Sequence, residues 1–393
     1  MGGGLLQLVA YGAQDVYLTG NPQITFFKVV YRRHTNFSME SIEQTFNGTA
    51  DFGRRVTCQI SRNGDLIHRM YLQATLPGPG SDEAYTEYVG LALIKNVELE
   101  IGGQRIDKQY GDWMYIWNEL SLPDGKKTGY NTMVGADIKN ITTDTVLYIP
   151  LEFWFCRNPG LALPLIALQY HEVKVNIEFR ALADLEGDFA GLGLGLSSLS
   201  GSLGTTSLWV DYIFLDTDER RRFAQLSHEY LIEQIQFTGE ETISAGANKV
   251  KLNFNHPVKE LVWVLQDQSF VSGSNEHFNY TNAALSAGTS LLTNAKLQLN
   301  GHDRFAEREG DYFSLVQPYQ HHENIPSATG INVYSFALKP EEHQPSGTLN
   351  FSRIDSAVLN VTAASGADRM RVYAVNYNVL RVMSGMGGLA YSN

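Results

Sequence analysis

The chain has 393 residues, 43% of them hydrophobic and 18% charged, which is enough for one large domain or two to three ordinary ones with real cores. Its net charge of −12 argues against a protein that coats nucleic acid, because phosphate binding requires a basic face. Two cysteines can form at most one disulfide bond, which is too few to stabilise a chain of this length. They therefore favour a reducing compartment and a fold stabilised by the burial of apolar side chains.

The first segment, residues 1–25, is predicted to be an extended arm outside the first barrel. Its start, MGGGLLQLVAYG, lacks the charged beginning and the long apolar run of a signal peptide. The Gly-rich start and the TGNPQ break at 19–23 are typical of a segment that a partner orders. The most apolar run, 161–170, is short and contains Pro164, so we expect a soluble protein, made in the cytosol, without a membrane span.

After the arm, the same series of short patterns occurs twice in the same order. Several weak similarities that keep their order favour tandem duplication over the alternative that all β proteins share such patterns. The paired stretches are SIEQTFNG (41–48) with LIEQIQFTG (231–239), RVTCQI (55–60) with KVKLNF (249–254), DLIHRMYLQATL (65–76) with ELVWVLQ (260–266), NVELEIGGQRIDKQYGDW (96–113) with NAKLQLNGHDRFAEREGDYF (294–313), and PGLALPLIALQYHEVKVNIEF (159–179) with PSGTLNFSRIDSAVLNVT (345–362).

Each copy is predicted to be built of β-strands. In KVKLNFN, the residues Val250, Leu252 and Phe254 alternate with polar residues, which is the period of a half-buried strand. The predicted strands of the first copy are 41–48, 54–61, 65–76, 94–101, 104–109, 146–155, 171–180 and 207–215, and those of the second are 230–238, 249–255, 259–266, 294–299, 302–307, 331–339, 354–363 and 369–379.

A tight turn is predicted at the same place in both copies. Gly102 and Gly103 separate VELEI from QRID, and Asn300 and Gly301 separate AKLQL from HDRF. A two-residue hairpin loop requires positive φ at both central residues, which Gly-Gly and Asn-Gly supply. We therefore interpret these four residues as structural turns and not as a phosphate-binding loop.

Each hairpin is followed by an aspartate and bulky residues, in GDWMYIWNEL (111–120) and GDYFSLVQPY (310–319). Asp112 and Asp311 are predicted N-caps of short helices. The side chains predicted to form the buried stripe of the first helix are Trp113, Ile116, Trp117 and Leu120.

Eight strands in each copy predict an all-β double jelly roll, that is, two tandem eight-stranded antiparallel β-sandwiches with short helices in their loops. The predicted domains are 26–217 and 218–393, joined by the acid-rich LDTDERRRF (215–223), which we interpret as a solvated linker. The long connections, predicted to be surface loops, are 110–145, 181–206 and 267–293.

Local patterns for catalysis, metal or cofactor binding are missing. The ten histidines form no His-x-His or His-Glu-x-x-His pattern, and His321-His322 is interpreted as part of a solvated loop. No Gly-x-Ser-x-Gly elbow presents a nucleophile. We expect neither enzymatic activity nor a cofactor, and we expect Cys58 and Cys156 to be unpaired thiols.

Asn-x-Ser/Thr acceptors occur at Asn36, Asn47, Asn140, Asn279, Asn350 and Asn360. Without a secretory signal, ordinary host glycosylation is not expected. Asn140 and Asn279 are predicted to be the best placed for a glycan, since they fall in the long connections 110–145 and 267–293.

Six long blocks of the sequence are specific enough to compare with a known family. They are LVAYGAQDVYLTGNPQITFFK (8–28), ISRNGDLI (60–67), ELEIGGQRIDKQYGDW (98–113), PGLALPLIALQYHEVK (159–174), WVDYIFLDTDER (209–220) and NYNVLRVMSGMGGLAY (376–391). These blocks resemble the major capsid proteins of nucleocytoplasmic large DNA viruses, above all the chlorella-virus-type (phycodnavirus) coat proteins, and the resemblance covers essentially the whole chain.

The resemblance implies a structural protein of the virion. Homotrimers would form pseudo-hexagonal capsomers that contact neighbouring capsomers in an icosahedral shell assembled in the host cytoplasm. The arm would lie under the shell against minor capsid proteins, glycans would lie on outer loops, and nucleic acid would not be bound directly. The alternative from another class is a jelly-roll glycan-binding or adhesive surface protein. A cupin-like enzyme is a third option, but this sequence lacks the histidine pattern that such an enzyme requires.

Overall fold

The computed structural model describes residues 3–78, 84–136, 143–187 and 199–391. The chain divides into two compact units, Met1–Asn36 and Phe37–Asn393. In the first unit, the helices α1 (Gly3–Val9) and α2 (Val16–Thr19) bury none of their side chains.

In the second unit, the strands up to residue 215 form two antiparallel sheets. The first sheet has the order β1 (Phe37–Gln44), β9 (Thr206–Leu215), β3 (Leu66–Leu76) and β6 (Thr145–Pro150), with β7 (Leu163–Pro164) beside β3. The second has the order β2 (Arg55–Gln59), β8 (Val173–Phe179), β4 (Ile94–Ile101) and β5 (Gln104–Tyr110).

The strands after residue 227 repeat this arrangement. One sheet has the order β10 (His228–Thr242), β19 (Arg369–Met383), β12 (Pro257–Gln266) and β16 (Ile331–Ser335), with β17 (Leu349–Asn350) beside β12 and β20 (Met386–Leu389) beside β19. The other has the order β11 (Gly246–Lys251), β18 (Ala357–Ala363), β13 (Leu292–Leu299) and β14 (His302–Asp303), with β15 (Arg308–Glu309) beside β13.

Short helices lie in the connections. The helices are α3 (Val89–Leu93), α4 (Gly111–Ser121), α5 (Asp124–Val134), α6 (Trp154–Arg157), α7 (Thr217–Gln225), α8 (Gln268–Ser274) and α9 (Gln317–His321), with a π-helical turn at Tyr312–Val316 and 3-10 turns at Pro159–Leu161, Leu165–Ala167, Leu182–Leu185, Ala284–Ser286 and Phe351–Arg353.

The strand order identifies the architecture. In the first half β1 pairs with β9 and β2 with β8, and in the second half β10 pairs with β19 and β11 with β18, so in each half two antiparallel sheets face each other as a jelly roll. The double jelly roll predicted from the sequence is therefore confirmed. We call the half containing β1 to β9 the first roll and the half containing β10 to β20 the second roll.

The cores follow from the alternation of side chains along the strands. Val250, Leu252 and Phe254 are buried while Lys249 and Lys251 are exposed, as the period of two predicts. One cluster of buried apolar side chains fills the first roll and continues into the second through residues such as Val262, Tyr373 and Val375. The second roll's own interior is a separate cluster, formed by residues such as Leu261, Trp263 and Ala374. The outer face of its β10–β19–β12–β16 sheet is thus buried as well.

The prediction that Asp112 is the N-cap of α4 is wrong, although the predicted stripe on α4 is confirmed. Trp113, Ile116, Trp117 and Leu120 are all buried. The N-cap of α4 is Tyr110 and no side chain caps it, because the Asp112 carboxylate pairs with arginines instead. Asp311 stands at the predicted N-cap position, before the π-helical turn, but its side chain makes no capping hydrogen bond.

Two predicted loops are more structured than the sequence indicates. The predicted linker 215–223 contains most of α7, whose N-cap Asp216 accepts a hydrogen bond from Glu219 N at 3.0 Å. Segment 267–293 contains α8 and a buried aromatic stretch. Residues 188–198 of the predicted loop 181–206 lie outside the described residues.

Candidate functional site

The two tight turns have closely matched geometry. Ile101 pairs with Gln104 across Gly102 and Gly103, whose φ angles are 58° and 85°. Leu299 pairs with His302 across Asn300 and Gly301, whose φ angles are 50° and 82°. These loops present backbone to solvent at a hairpin end, which is what a structural turn requires.

The metal ligands and thiols in the described part of the chain are dispersed or buried. No three His, Cys, Asp or Glu side chains are grouped there so as to hold a metal ion. Cys58 and Cys156 are both free and buried, as predicted, and burial raises the pKa of the Cys58 thiol to about 11. Among the same residues, no helix combines the length and the apolar character needed to cross a bilayer.

The most elaborate part of the molecule is the contact between the two rolls, where aromatic rings of α4 and β5 pack on the outer sheet face of the second roll. The centroids of Trp113 and Tyr373 are 5.4 Å apart, and those of Tyr110 and Phe237 are 5.1 Å apart. Phe237 in turn stacks on Tyr373 at 4.9 Å. Such rings bury a large apolar area, so they hold the rolls in one fixed arrangement.

A buried charge cluster lies at one end of this contact. The carboxylate of Asp112, in α4, is 3.3 Å from Arg180 Nη2 and 2.5 Å from Arg371 Nη1, and the Arg371 guanidinium also pairs with Glu240. Burial opposes ionisation of Asp112, but Arg371 and Arg180 outweigh it and lower its pKa. Asp112 therefore stays charged and joins the rolls by an ion pair.

A second charge cluster is centred on Glu233, in β10. Its carboxylate is 2.8 Å from Lys259 Nζ, 2.7 Å from Arg157 Nη1 and 3.2 Å from His343 Nδ1. Burial opposes ionisation, but the contacts with His343, Lys259 and Arg157 outweigh it and lower the pKa of Glu233 to about 2. Because Arg157 belongs to the first roll, this cluster also crosses the contact.

The interpretation of His322 as a solvated residue is wrong. Its side chain is fully buried, with Nε2 2.9 Å from Glu260 Oε2 and Nδ1 2.8 Å from Glu341 Oε1. Burial disfavours the imidazolium, but the two carboxylates outweigh burial and raise the pKa of His322 to about 9. His322 is therefore a cation inside the second roll.

Asn279 is a poor glycan acceptor in this structure. It is 2% exposed, and its Nδ2 donates to Glu276 Oε2 at 2.5 Å and to Ala283 O at 2.8 Å. The reason is that its neighbour Phe278 stacks on Tyr115 of the first roll, at 4.5 Å between centroids, which draws the segment inwards. Asn140 lies outside the described residues.

This arrangement can hold two sheets rigidly together, because the aromatic contacts and the ion pairs both cross from one roll to the other. Sequence reasoning missed the ion pairs between the rolls, since their partners are distant in the chain: Asp112 and Arg157 lie in short helices, and Glu233, Lys259 and Arg371 lie in strands. The adjacent charged residues Lys259 and Glu260 within the apolar stretch PVKELVWVL could have indicated buried ion pairs, because charged side chains inside a buried strand require partners of opposite charge.

The comparisons with known proteins agree across nearly the whole chain. The family model described as "Major capsid protein N-terminus" matches residues 25–216, and "Large eukaryotic DNA virus major capsid protein" matches residues 219–388. The major capsid proteins of Pyramimonas orientalis virus and of Paramecium bursaria Chlorella virus 1 are 58% and 47% identical, each with all of both chains covered.

Solved structures show the same relationship. A chain in the quasi-atomic model of the PBCV-1 virus capsid matches with a TM-score of 0.82 and 42% identity, over 94% of this chain and 100% of that one. The Faustovirus major capsid protein matches with a TM-score of 0.76 over 95% of this chain and 94% of that one. At 14% identity, that second match shows a shared fold alone.

Proposed function

The chain belongs to the major capsid proteins of large eukaryotic DNA viruses, and we propose that three copies of it form one pseudo-hexagonal capsomer of the icosahedral shell. It is a structural component of the virion capsid, next to neighbouring capsomers, and not an enzyme. The alternative of a glycan-binding or adhesive surface protein is not favoured by this family membership.

The observation that carries the trimer is the fixed contact between two rolls of the same topology. The proposed domain limits are 26–217 and 218–393. Three copies of such a pair place six similar rolls around one axis, so closed three-fold symmetry approximates six-fold packing. The ion pairs of Asp112 with Arg371 and of Glu233 with Arg157 support this, because they make each pair of rolls one rigid building block.

The N-terminal arm, residues 1–25, is proposed to bind minor capsid proteins beneath the shell. Large apolar side chains of this segment are exposed, among them Leu8, Tyr17 and Leu18. Exposed apolar side chains at this density support a segment that a partner covers. The direction of the arm, inwards from the shell, is inferred from the family.

The remaining parts of the proposal concern the surroundings of the capsomer. Assembly takes place in the host cytoplasm, and the net charge of −12 supports a shell that does not bind nucleic acid directly. Any glycans lie on outer loops. Of the two predicted acceptors, Asn279 is buried, so Asn140 remains the proposed acceptor. Gly102, Gly103, Asn300 and Gly301 act as structural turns.

The experiment is size-exclusion chromatography with light scattering on the full-length protein, whose chain mass is 43.8 kDa. We expect a trimer. A stable monomer at all concentrations contradicts the proposal. Deletion of residues 1–25 is expected to leave trimers but to weaken their assembly into shells. If the truncated chain fails to fold, the arm belongs to the core instead.

A further inference from the structure

A loop at the edge of the contact between the two rolls closes on itself. It connects β16 to β17 in the second roll, and we call its residues 338–347 the strap. Its two ends meet, since Leu338 N donates to Ser346 O at 3.3 Å and Lys339 N donates to Ser346 Oγ at 3.0 Å. Compact surface loops whose ends lie together are often functional. The position of the strap then depends on the contacts that its middle makes.

A cavity of about 440 Å³ lies between the strap and the first roll. Its lining includes Glu341 and His343 of the strap, together with Arg157 of the first roll and Glu233 of β10. Arg157 and Glu233 form the ion pair, 2.7 Å long, that crosses the contact between the rolls. The strap therefore limits the access of water to this ion pair, and release of the strap would expose it.

Three histidines fasten the strap, two of them by hydrogen bonds that require no charge. His321 Nδ1 lies 3.0 Å from Leu338 O, and His343 Nδ1 lies 3.2 Å from Glu233 Oε1. In both contacts a single ring N–H donates to an oxygen, which a neutral imidazole can also do. Tyr377 Oη adds a further hydrogen bond, which it donates to His343 O at 3.0 Å.

His322 differs from the other two because it bridges two carboxylates. Its Nδ1 lies 2.8 Å from Glu341 Oε1 of the strap, and its Nε2 lies 2.9 Å from Glu260 Oε2 of β12. Only the imidazolium carries an N–H on both nitrogens. A neutral ring donates to one carboxylate and turns a lone pair towards the other, so the bridge is complete only while His322 is protonated.

The strap is the side that yields when this proton is lost. The Glu260 side chain is fully buried in a strand, whereas the Glu341 side chain is 19% exposed and lies in a loop. A buried carboxylate without a donor costs more than a carboxylate that returns to water. The remaining proton of neutral His322 is therefore expected on Nε2, where it faces Glu260.

We propose that protonated His322 holds the strap against the second roll, and that neutral His322 releases Glu341 and opens the cavity to solvent. The proton on His322 would thus control the access of water to the ion pair between the rolls. The strap and its partners belong to one protomer, so its release does not require the proposed trimer.

Charged and titratable groups approach this bridge from several elements. They are Glu260 and Lys259 on β12, Glu341 on the strap, His321 and Glu323 beside His322 in the chain, and Glu233 on β10 and Tyr377 on β19 beyond Lys259. Burial disfavours the imidazolium of His322, but Glu260 and Glu341 outweigh it and raise its pKa to about 9. The bridge is therefore complete at neutral pH and lost as the pH rises through about 9. Burial also lowers the pKa of Lys259, which makes it the second group able to lose a proton on the alkaline side.

Electron paramagnetic resonance on the full-length protein, with a nitroxide spin label on Glu342→Cys, tests the release. The Glu342 side chain is 58% exposed, and the native thiols Cys58 and Cys156 are buried, so the label attaches to the new thiol. We expect an immobile label at neutral pH and a mobile label above pH about 9, with unchanged circular dichroism. A label whose mobility does not change with pH would overturn the proposal. Loss of the circular dichroism over the same range would also overturn it, because the whole chain would then unfold.

Two variants of the labelled chain should act in opposite directions. His322→Gln removes the cation, so the label is expected to be mobile already at neutral pH. Glu341→Gln places an amide opposite His322, which can accept from Nδ1 or donate to it, so the label is expected to stay immobile on the alkaline side as well. His321→Gln is the matched control, because His321 contacts the same strap without requiring charge, and it is expected to leave the release unchanged.

These variants separate His322 from Lys259 as the group that loses the proton. Alkaline release that persists in Glu341→Gln would assign the titration to Lys259 and overturn the proposal. A label that stays immobile at neutral pH in a folded His322→Gln variant would overturn it as well. If His322→Gln fails to fold, the comparison of Glu341→Gln with His321→Gln still decides, because Glu341 is a partly exposed loop residue.

Discussion

Arg371 Nη1 in the second roll lies 2.5 Å from Asp112 Oδ2 in the first, although the two residues are 259 positions apart in the sequence. Arg180 Nη2 approaches the other carboxylate oxygen of Asp112 at 3.3 Å. One buried carboxylate thus compensates two guanidinium groups from different rolls, and the contact between the rolls depends on its charge.

Replacing Asp112 by alanine is expected to lower the free energy of unfolding by about 3 kcal/mol, because it removes the carboxylate partner of Arg180 and leaves Arg371 with Glu240 alone. Chemical denaturation measures this. The matched control is Asp311→Ala at the corresponding position of the second roll, which is exposed and is expected to change stability little. Equal effects of the two substitutions would show that the ion pair does not stabilise the contact.

His322 is expected to make stability depend on pH on the alkaline side. Its pKa in the folded chain is about 9, against 6.5 for an ordinary histidine, so the folded state retains the proton more strongly. Its contribution, on the order of 3 kcal/mol, is therefore complete below pH ~6.5 and lost as the pH rises through about 9. Chemical denaturation across this pH range should show that the free energy of unfolding of the unmodified protein declines as the pH rises. The His322→Gln variant should lack this decline, whereas the His321→Gln variant should retain it. A decline that persists in His322→Gln would assign it to another group.

The two glycines of the first turn are expected to tolerate alanine differently. Both have positive φ, so each substitution should cost about 1 kcal/mol of stability from the backbone alone. A Cβ on Gly102 would also collide with the His171 ring, whereas a Cβ on Gly103 or Gly301 meets no atom within 4 Å. Thermal unfolding should therefore rank Gly102→Ala as clearly worse than Gly103→Ala and Gly301→Ala. Three equal losses would contradict this.

The thiols of Cys58 and Cys156 are expected to resist alkylation in the folded protein. Both are buried, and burial raises their pKa values, so little of the reactive thiolate is present or accessible. Mass spectrometry after iodoacetamide treatment at mildly alkaline pH should find both unmodified in the native protein and both modified in guanidinium. Rapid labelling of the native chain would show that these regions open readily.

Much of the fold follows from local patterns, while the site depends on long-range contacts. The alternation at Val250, Leu252 and Phe254 predicts its strand, because the period of two already encodes which face is buried. Asp112, by contrast, has the local sequence of an N-cap. Its partner Arg371 is distant in the chain, so the local sequence does not indicate the ion pair. His322 and Asn279 were misinterpreted for the same reason. Their burial is imposed by Glu260 and by Tyr115, residues distant in the chain.

The pairing of first with last strands has a consequence for synthesis. The first sheet cannot close until β9 is made, and Trp113 of α4 and Tyr110 of β5 lack their contact with Tyr373 until β19, ending at Met383, leaves the ribosome. At typical translation rates these steps are separated by roughly 10 to 30 seconds. During that interval every nascent chain presents Tyr110 and Trp113 to its neighbours on the same polysome. Until translation ends, each chain is therefore expected to carry an apolar surface to which a chaperone or a neighbouring chain can bind.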